Sequence, residues 1–225
     1  MRRSVVVVGK PPRPGAAKTR LVPPLSAEEA ADLYRAFLQD TVSMALGLGW
    51  EDVTLVHPAD PGADAELRAQ LPPGVRLTSQ VGAGLGAALV GAFRSQLAAG
   101  FGQVLLIGSD SPSLPVQLLL AGARGLETHD LVIGPSSDGG YYLIGMTRPH
   151  IGVFERITWS TDAVFKQTME RGQELGLRTL VLPEWYDVDT EAELARLRDH
   201  LDSLSPRIAV ATRTVLARLP RHDLA

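Results

Sequence analysis

Residues 5–29 read VVVVGKPPRPGAAKTRLVPPLSAEE, and their order decides the fold. Residues 5–8 form an unbroken apolar run, the pattern of a strand buried on both faces. Ser26 to Glu29 is a capping box, with serine at the N-cap and glutamate three positions on. Ala30, Leu33, Tyr34, Phe37 and Leu38 then recur at helical spacing, and Gly47 and Gly49 end the helix near Leu46. A two-sided strand feeding an amphipathic helix opens a parallel α/β sheet. Between the two lies a loop with Lys10, Arg13, Lys18 and Arg20, stiffened by Pro11, Pro12 and Pro14.

The alternation continues. Segments 53–56, 104–107, 131–133, 141–145 and 179–182 read as strands, with another near Leu77. Segments 86–99, 116–126, 161–175 and 191–204 read as helices, and a short helix ends at 67–71 before Pro72, Pro73 and Gly74. The expectation is a three-layer α/β/α domain over 1–204 around a mostly parallel mixed sheet. Residues 205–225, with Arg213, Arg218 and Arg221, are expected to form a helical extension. Its apolar stretch 208–219 leaves room for a homodimer.

The bulk numbers narrow the function. The chain has 225 residues, is 45% hydrophobic and 21% charged, and carries a net charge of -3. No basic stripe signals a nucleic-acid partner. With no cysteine, disulfides, thiolate nucleophiles and zinc–thiolate sites are excluded. Met1, Arg2 and Arg3 precede the apolar run, but that run meets Lys10 too soon for a secretory signal. No stretch reaches membrane-spanning length. A cytoplasmic protein without a membrane partner is expected.

A doubly covered sheet binds ligands at the carboxyl ends of its strands, so the residues after each strand matter most. Lys10, Lys18 and Arg20 follow the first strand, and Arg and Lys suit phosphate there; taken alone, such a loop can equally be a solvated charge run. It is not a Walker A loop, whose glycine–lysine spacing is missing. Gln80, Gly82, Gly84, Leu85 and Gly86 form a tight turn into a helix, able to press backbone against a base or a phosphate, though such a turn can be only a turn. Asp110 follows the apolar segment 104–107 and suits Mg²⁺, or else caps the next helix. Asp187 and Asp189 follow a later strand, and Asp189 or Thr190 could likewise be an N-cap. Two acidic strand ends beside a basic loop point to a metal–phosphate site. Asp138, Gly139, Gly140 and Tyr141 form a hairpin turn signal with room for a second substrate. Trp159 could be another wall of that room or a core tryptophan beside a helix cap. No H-x-x-x-H pair and no nucleophile elbow is present.

The succession Lys-Thr-Arg-Leu at 18–21, Gln-x-Gly-x-x-Leu-Gly at 80–86, Gly-Ser-Asp-Ser-Pro at 108–112, Gly-Pro-x-x-Asp-Gly-Gly-Tyr-Tyr from Gly134, Trp-Ser-Thr at 159–161 and Asp-Val-Asp-Thr at 187–190 resembles a bacterial family of GT-A-type transferases. Its members carry provisional names as glycosyltransferases or nucleotide-diphospho-sugar transferases, and some are linked to arsenosugar biosynthesis. The match runs over about residues 4–200. More distantly, the sequence is similar to 2-phospholactate and molybdenum-cofactor guanylyltransferases. The resemblance implies a Rossmann-like GT-A fold. It implies that Lys10, Lys18 and Arg20 hold nucleotide phosphates, with Lys18, Arg20 and Asp110 serving catalysis, and that Gln80, Gly82, Leu85 and Gly86 wall the base. It implies Mg²⁺ or Mn²⁺ on Asp110 and Asp189, with Asp187 as the alternative second ligand, and an acceptor facing Asp138, Gly139, Gly140, Tyr141 and Trp159. Gly-Ser-Asp-Ser-Pro at 108–112 lacks the Asp-x-Asp pair of many glycosyltransferases of this fold. A single aspartate is the nucleotidyltransferase pattern. The implied reaction joins an NMP moiety from an NTP to a phosphorylated small molecule and releases pyrophosphate; transfer of a sugar from an NDP-sugar is the alternative.

Overall fold

A computed structural model describes residues 1–219; the tail 220–225, including Arg221 of the expected extension, lies outside the described residues. Among the described residues seven strands form one sheet: β1 (Arg3–Val8), β2 (Asp52–His57), β3 (Arg76–Ser79), β4 (Gln103–Gly108), β5 (Leu131–Pro135), β6 (Tyr141–Met146) and β7 (Thr179–Val181). Their spatial order is β3-β2-β1-β4-β6-β5-β7. β6 alone runs against its neighbours β4 and β5; every other pairing is parallel. The carboxyl ends of β1, β2, β3, β4 and β5 therefore lie along one edge, and the β5–β6 turn returns at that same edge.

The helices are α1 (Ala27–Leu46), α2 (Ala63–Gln70), α3 (Gly84–Ala98), α4 (Val116–Gly125), α5 (Val164–Glu174), α6 (Glu191–Ser203) and α7 (Val210–Leu216). Strand alternation sorts the core into two layers. Val5, Val7, Leu105 and Ile107 pack with Leu38 and Val42 of α1, Leu67 of α2 and Leu119 of α4. Val6, Val104, Leu106 and Ile144 face the other way, onto Leu89 and Phe93 of α3 and, through its partly buried Phe165, α5. Each such aliphatic side chain contributes about 1.5–3 kcal/mol on full burial. The sheet is thus covered on both faces, as the unbroken apolar runs require.

A third cluster explains the C-terminal helices. Leu33 and Phe37, on the outer side of α1, pack with Leu194, Leu197 and Leu201 of α6 and Leu216 of α7. Asp40 of α1 accepts the backbone N–H groups of Ala211 (3.0 Å) and Thr212 (2.7 Å), capping α7 from another helix. Both capping boxes form: Ser26 with Glu29 starts α1, and Thr190 with Glu193 starts α6. No helix among the described residues is long and apolar enough to cross a membrane.

Candidate active site

Val8 ends β1 and the chain enters the basic loop. Gly9 is close-packed there, since a Cβ would come within 2.9 Å of Leu38. Tyr34 on α1 reaches under the loop. Its hydroxyl accepts the Lys10 backbone N–H (3.1 Å) and pairs with Ser109 Oγ (2.8 Å). Burial, followed by the nearby Asp110 charge, pushes the Tyr34 phenol up to about 12, so it stays protonated and serves as a fixed hydrogen-bonding post.

Lys18 is the centre of the site. Its backbone is left-handed (φ 49, ψ 40), a conformation that costs a non-glycine residue roughly 1–2 kcal/mol. The side chain turns inward and is 2% exposed, and its ammonium pairs with Asp110 and, at 2.8 Å, with Asp189 Oδ1. The rings of Tyr34 and Phe37 stand 5.8 and 5.6 Å behind it. Burial alone would lower the ammonium pKa, but the attraction of Asp110 and Asp189 more than offsets this and holds it above the usual lysine range.

The two carboxylates arrive from distant parts of the chain. Asp110 follows β4, and α4 begins only at Val116 behind Pro115, so Asp110 is no helix cap. Thr190, not Asp189, caps α6, which leaves the Asp189 carboxylate for Lys18. A backbone hydrogen bond from Val188 N–H to the Asp110 carbonyl (3.0 Å) ties the two segments together. Asp187 lies behind them and receives Ser111 Oγ (2.6 Å) and Ser136 Oγ (2.8 Å). Burial, with smaller contributions from the Asp110 and Asp138 charges, pushes the Asp187 carboxyl up to about 6 despite those two donors.

Lys10, Lys18, Tyr34, Asp110 and Asp189 share one cleft of about 800 Å³ with Pro58, Ala59 and the loop Gln80, Gly82, Ala83, Gly84 and Leu85. Gly82 and Gly84 have φ of +86° and +82°, which only glycine adopts readily. Gln80 braces the turn by donating to the Gly82 carbonyl (3.0 Å). Among the described residues no side chain caps the start of α3, where the helix opens on the cleft and its first N–H groups lack partners within the helix.

The other expected residues lie nearby or apart. Arg20 is exposed in a short 3-10 turn and does not line the cleft, while Arg13 is tied to Asp60 and, at 2.8 Å, to Glu66. Gly86 sits beneath Trp159, whose indole would lie 2.7 Å from an added Cβ. Asp138 accepts the Gly140 N–H (2.9 Å) within the β5–β6 turn, so the hairpin signal is realised. Gly139 packs against Asp162, and Tyr141 packs on the core beneath α5. Tyr34 and Ser109 escaped the sequence reading, because Tyr34 occupies an ordinary apolar helix position and nothing local shows where its hydroxyl points.

Among the described residues no group of three or more His, Asp or Glu side chains is arranged for a metal ion. Asp110 and Asp189 nonetheless form a fitting donor set for Mg²⁺ or Mn²⁺, hard ions that take one or two carboxylates and complete their shell with phosphate oxygens and water.

The solved structure of a protein from Desulfovibrio desulfuricans G20, provisionally named a nucleotide-diphospho-sugar transferase, matches with a TM-score of 0.88 and 33% identity over 97% of this chain and 95% of that one. Rv0371C of Mycobacterium tuberculosis H37Rv, solved with manganese, matches at a TM-score of 0.53 and 19% identity over 88% of this chain and 97% of that one. CMP:2-keto-3-deoxy-manno-octonic acid synthetase in complex with CTP matches at 0.57 and 13%, over 90% of this chain and 99% of that one. At such identities the last two share the fold. No curated protein matches the sequence. The model of a family described as uncharacterized protein conserved in bacteria (DUF2064) matches residues 42–161, more than half of the chain, Asp110 and the Gln80 loop included. With that match and the Desulfovibrio relative, the chain is a member of the DUF2064 family, built on a GT-A-type transferase fold.

Proposed function

We propose that this protein is a divalent-cation-dependent nucleotidyltransferase that joins the NMP moiety of an NTP to a phosphorylated small molecule, such as a sugar phosphate, and releases pyrophosphate. The observation that carries this reading is one cleft with Lys18, Asp110 and Asp189 at one end and the glycine-rich loop with the uncapped start of α3 at the other. Charged groups for a triphosphate and a backbone wall for a base line the same cleft. The lone aspartate after β4 favours nucleotidyl over glycosyl transfer, and the CTP complex of a fold neighbour supports a nucleotide ligand.

In this reading the loop around Gln80 holds the base. Lys10, exposed at the cleft, and the free N–H groups of α3 bind phosphate oxygens. An oxygen of the acceptor phosphate attacks the α-phosphorus. The new P–O bond forms as the bond to the oxygen bridging to the β-phosphorus breaks, and pyrophosphate leaves with that electron pair. A bound Mg²⁺ or Mn²⁺, held by Asp110 and Asp189, would offset the charge that builds on the α-phosphate and the leaving group. The β5–β6 turn, with Asp138 and Gly139, would border the acceptor, and Ser136 beside it braces Asp187. We take residues 1–204 as the catalytic domain and 205–225 as an extension, acting in the cytoplasm, with a homodimer through 208–219 as its assembly.

The test is pyrophosphate release with Mg²⁺, each NTP and a panel of sugar phosphates. Acceptor-dependent pyrophosphate supports the proposal and identifies the base. The provisional name of the Desulfovibrio relative favours a second reading, sugar transfer from an NDP-sugar. Release of nucleoside diphosphate from NDP-sugars, without pyrophosphate from any NTP, would replace the first reading with the second.

A further inference from the structure

A lysine that only grips phosphate needs to be reachable. Lys18 is the reverse: its side chain is 2% exposed, while the carboxylates it touches, Asp110 and Asp189, are each 40% exposed. Its ammonium reaches the Oδ1 atom of both. The left-handed backbone at Lys18 turns the side chain inward, and two aromatic rings close off its back. Lys10, by contrast, is exposed on the same cleft and makes no ion pair with either aspartate. One cation already fills the space between the two aspartates. Mg²⁺ binds carboxylate oxygen at about 2.0–2.1 Å, so an ion held by both aspartates competes with the ammonium for the space and the charge between them.

We propose that Lys18 is a positioning residue that acts as the resident cation of the site. It holds Asp110 and Asp189 together when no metal is bound, competes with a free divalent ion and so weakens its binding, and yields most readily to one that arrives with phosphate oxygens able to receive the displaced ammonium. Metal and nucleotide then bind with positive coupling, each making room for the other. The inference rests on the reading of Asp110 and Asp189 as cation ligands, and not on which group the enzyme transfers.

The experiment is a Mn²⁺ titration of the metal-free full chain, with free Mn²⁺ read by electron paramagnetic resonance, on the wild type, Lys18→Met and Lys10→Met. Both variants lose one positive charge in the same cleft, so their difference removes the general electrostatic effect. Lys18→Met is expected to bind Mn²⁺ roughly tenfold more tightly than Lys10→Met, a typical size for coupling between sites. A folded Lys18→Met that binds no more tightly than Lys10→Met overturns the proposal. A second measurement uses the wild type and covers the case in which Lys18→Met does not fold. The chain has only three lysines, Lys10, Lys18 and Lys166. Acetylation read by mass spectrometry should mark Lys10 and Lys166 and spare Lys18 without metal, and should mark Lys18 once Mn²⁺ is saturating. Continued protection of Lys18 with Mn²⁺ bound overturns the proposal. An enzyme that releases no pyrophosphate defeats the nucleotidyltransferase reading and leaves both of these results standing.

Discussion

Asp187 gives the sharpest test of the electrostatics. Its carboxyl is pushed up to about 6, chiefly by burial, against about 3.9 in an unfolded chain. The folded state therefore holds the proton more tightly than the unfolded state does. Between those two values stability falls as the pH rises, and above about 6 the whole cost of the buried charge is in force. A difference of about two pKa units at about 1.36 kcal/mol each gives roughly 3 kcal/mol, and the part-exposed position of Asp187 reduces this to about 2 kcal/mol. Asp187→Asn keeps the shape and cannot ionise. Urea unfolding in EDTA, at pH 8 and at pH 4, would measure both proteins. At pH 4 wild-type Asp187 is protonated in the folded state and about half protonated in the unfolded state. That comparison carries mainly the cost of exchanging a carboxyl for an amide between Ser111 and Ser136. The advantage of the variant at pH 8 minus that at pH 4 isolates the ionisation, and the expected value is about +2 kcal/mol. A difference of zero, or of the opposite sign, would refute the account of a carboxylate kept ionised at a cost in stability.

Three other outcomes are expected. Asp110→Asn should lower kcat by roughly a hundredfold or more, as loss of an electrostatic group at a reacting centre does, with an unchanged circular dichroism spectrum; full activity would remove Asp110 from the chemistry. Gly139→Ala should lower thermal stability by about 2 kcal/mol or more, because the residue has φ +88° and its Cβ would lie 2.2 Å from the Asp162 carbonyl; an unchanged Tm would show that the turn relaxes freely. Asp40→Ala strips two N–H groups at the start of α7 of their acceptor and should cost about 1–3 kcal/mol, seen as faster amide exchange at Ala211 and Thr212; unaltered exchange would mean that apolar contacts alone seat α7.

The fold was legible because its signals are local. The unbroken run at 5–8, the capping box at Ser26 and the strong apolar segment 104–107 each specify an element without help from elsewhere. α5 starts at Val164, not at the expected Thr161, because Thr161 Oγ1 donates to the Thr158 carbonyl (2.7 Å) in a turn that delays the helix. The site was legible in part. Lys18, Asp110 and Asp189 stood out as charges at strand ends, but their mutual contact depends on sheet order, which no local signal encodes. The difference between Asp187 and Asp189 was hidden as well. Alternation in an extended segment points neighbours to opposite sides and sends every second side chain the same way, so spacing alone does not separate the two. Ser111, Ser136 and the Thr190 cap separate them, and two of those three come from other parts of the chain.

The bond between Lys18 and Asp189 joins positions 171 apart in the chain. On a ribosome, the pocket that Lys18 enters lacks Asp189 until 171 further residues have been made. Domains generally fold as units, so Lys18 has no seat until the segment after β7 has been made. Asp40 waits in the same way for its partner Thr212, 172 positions away. The pairings that complete the cleft and seat α7 thus come from later segments of the chain and not from the first strand that displays the basic loop.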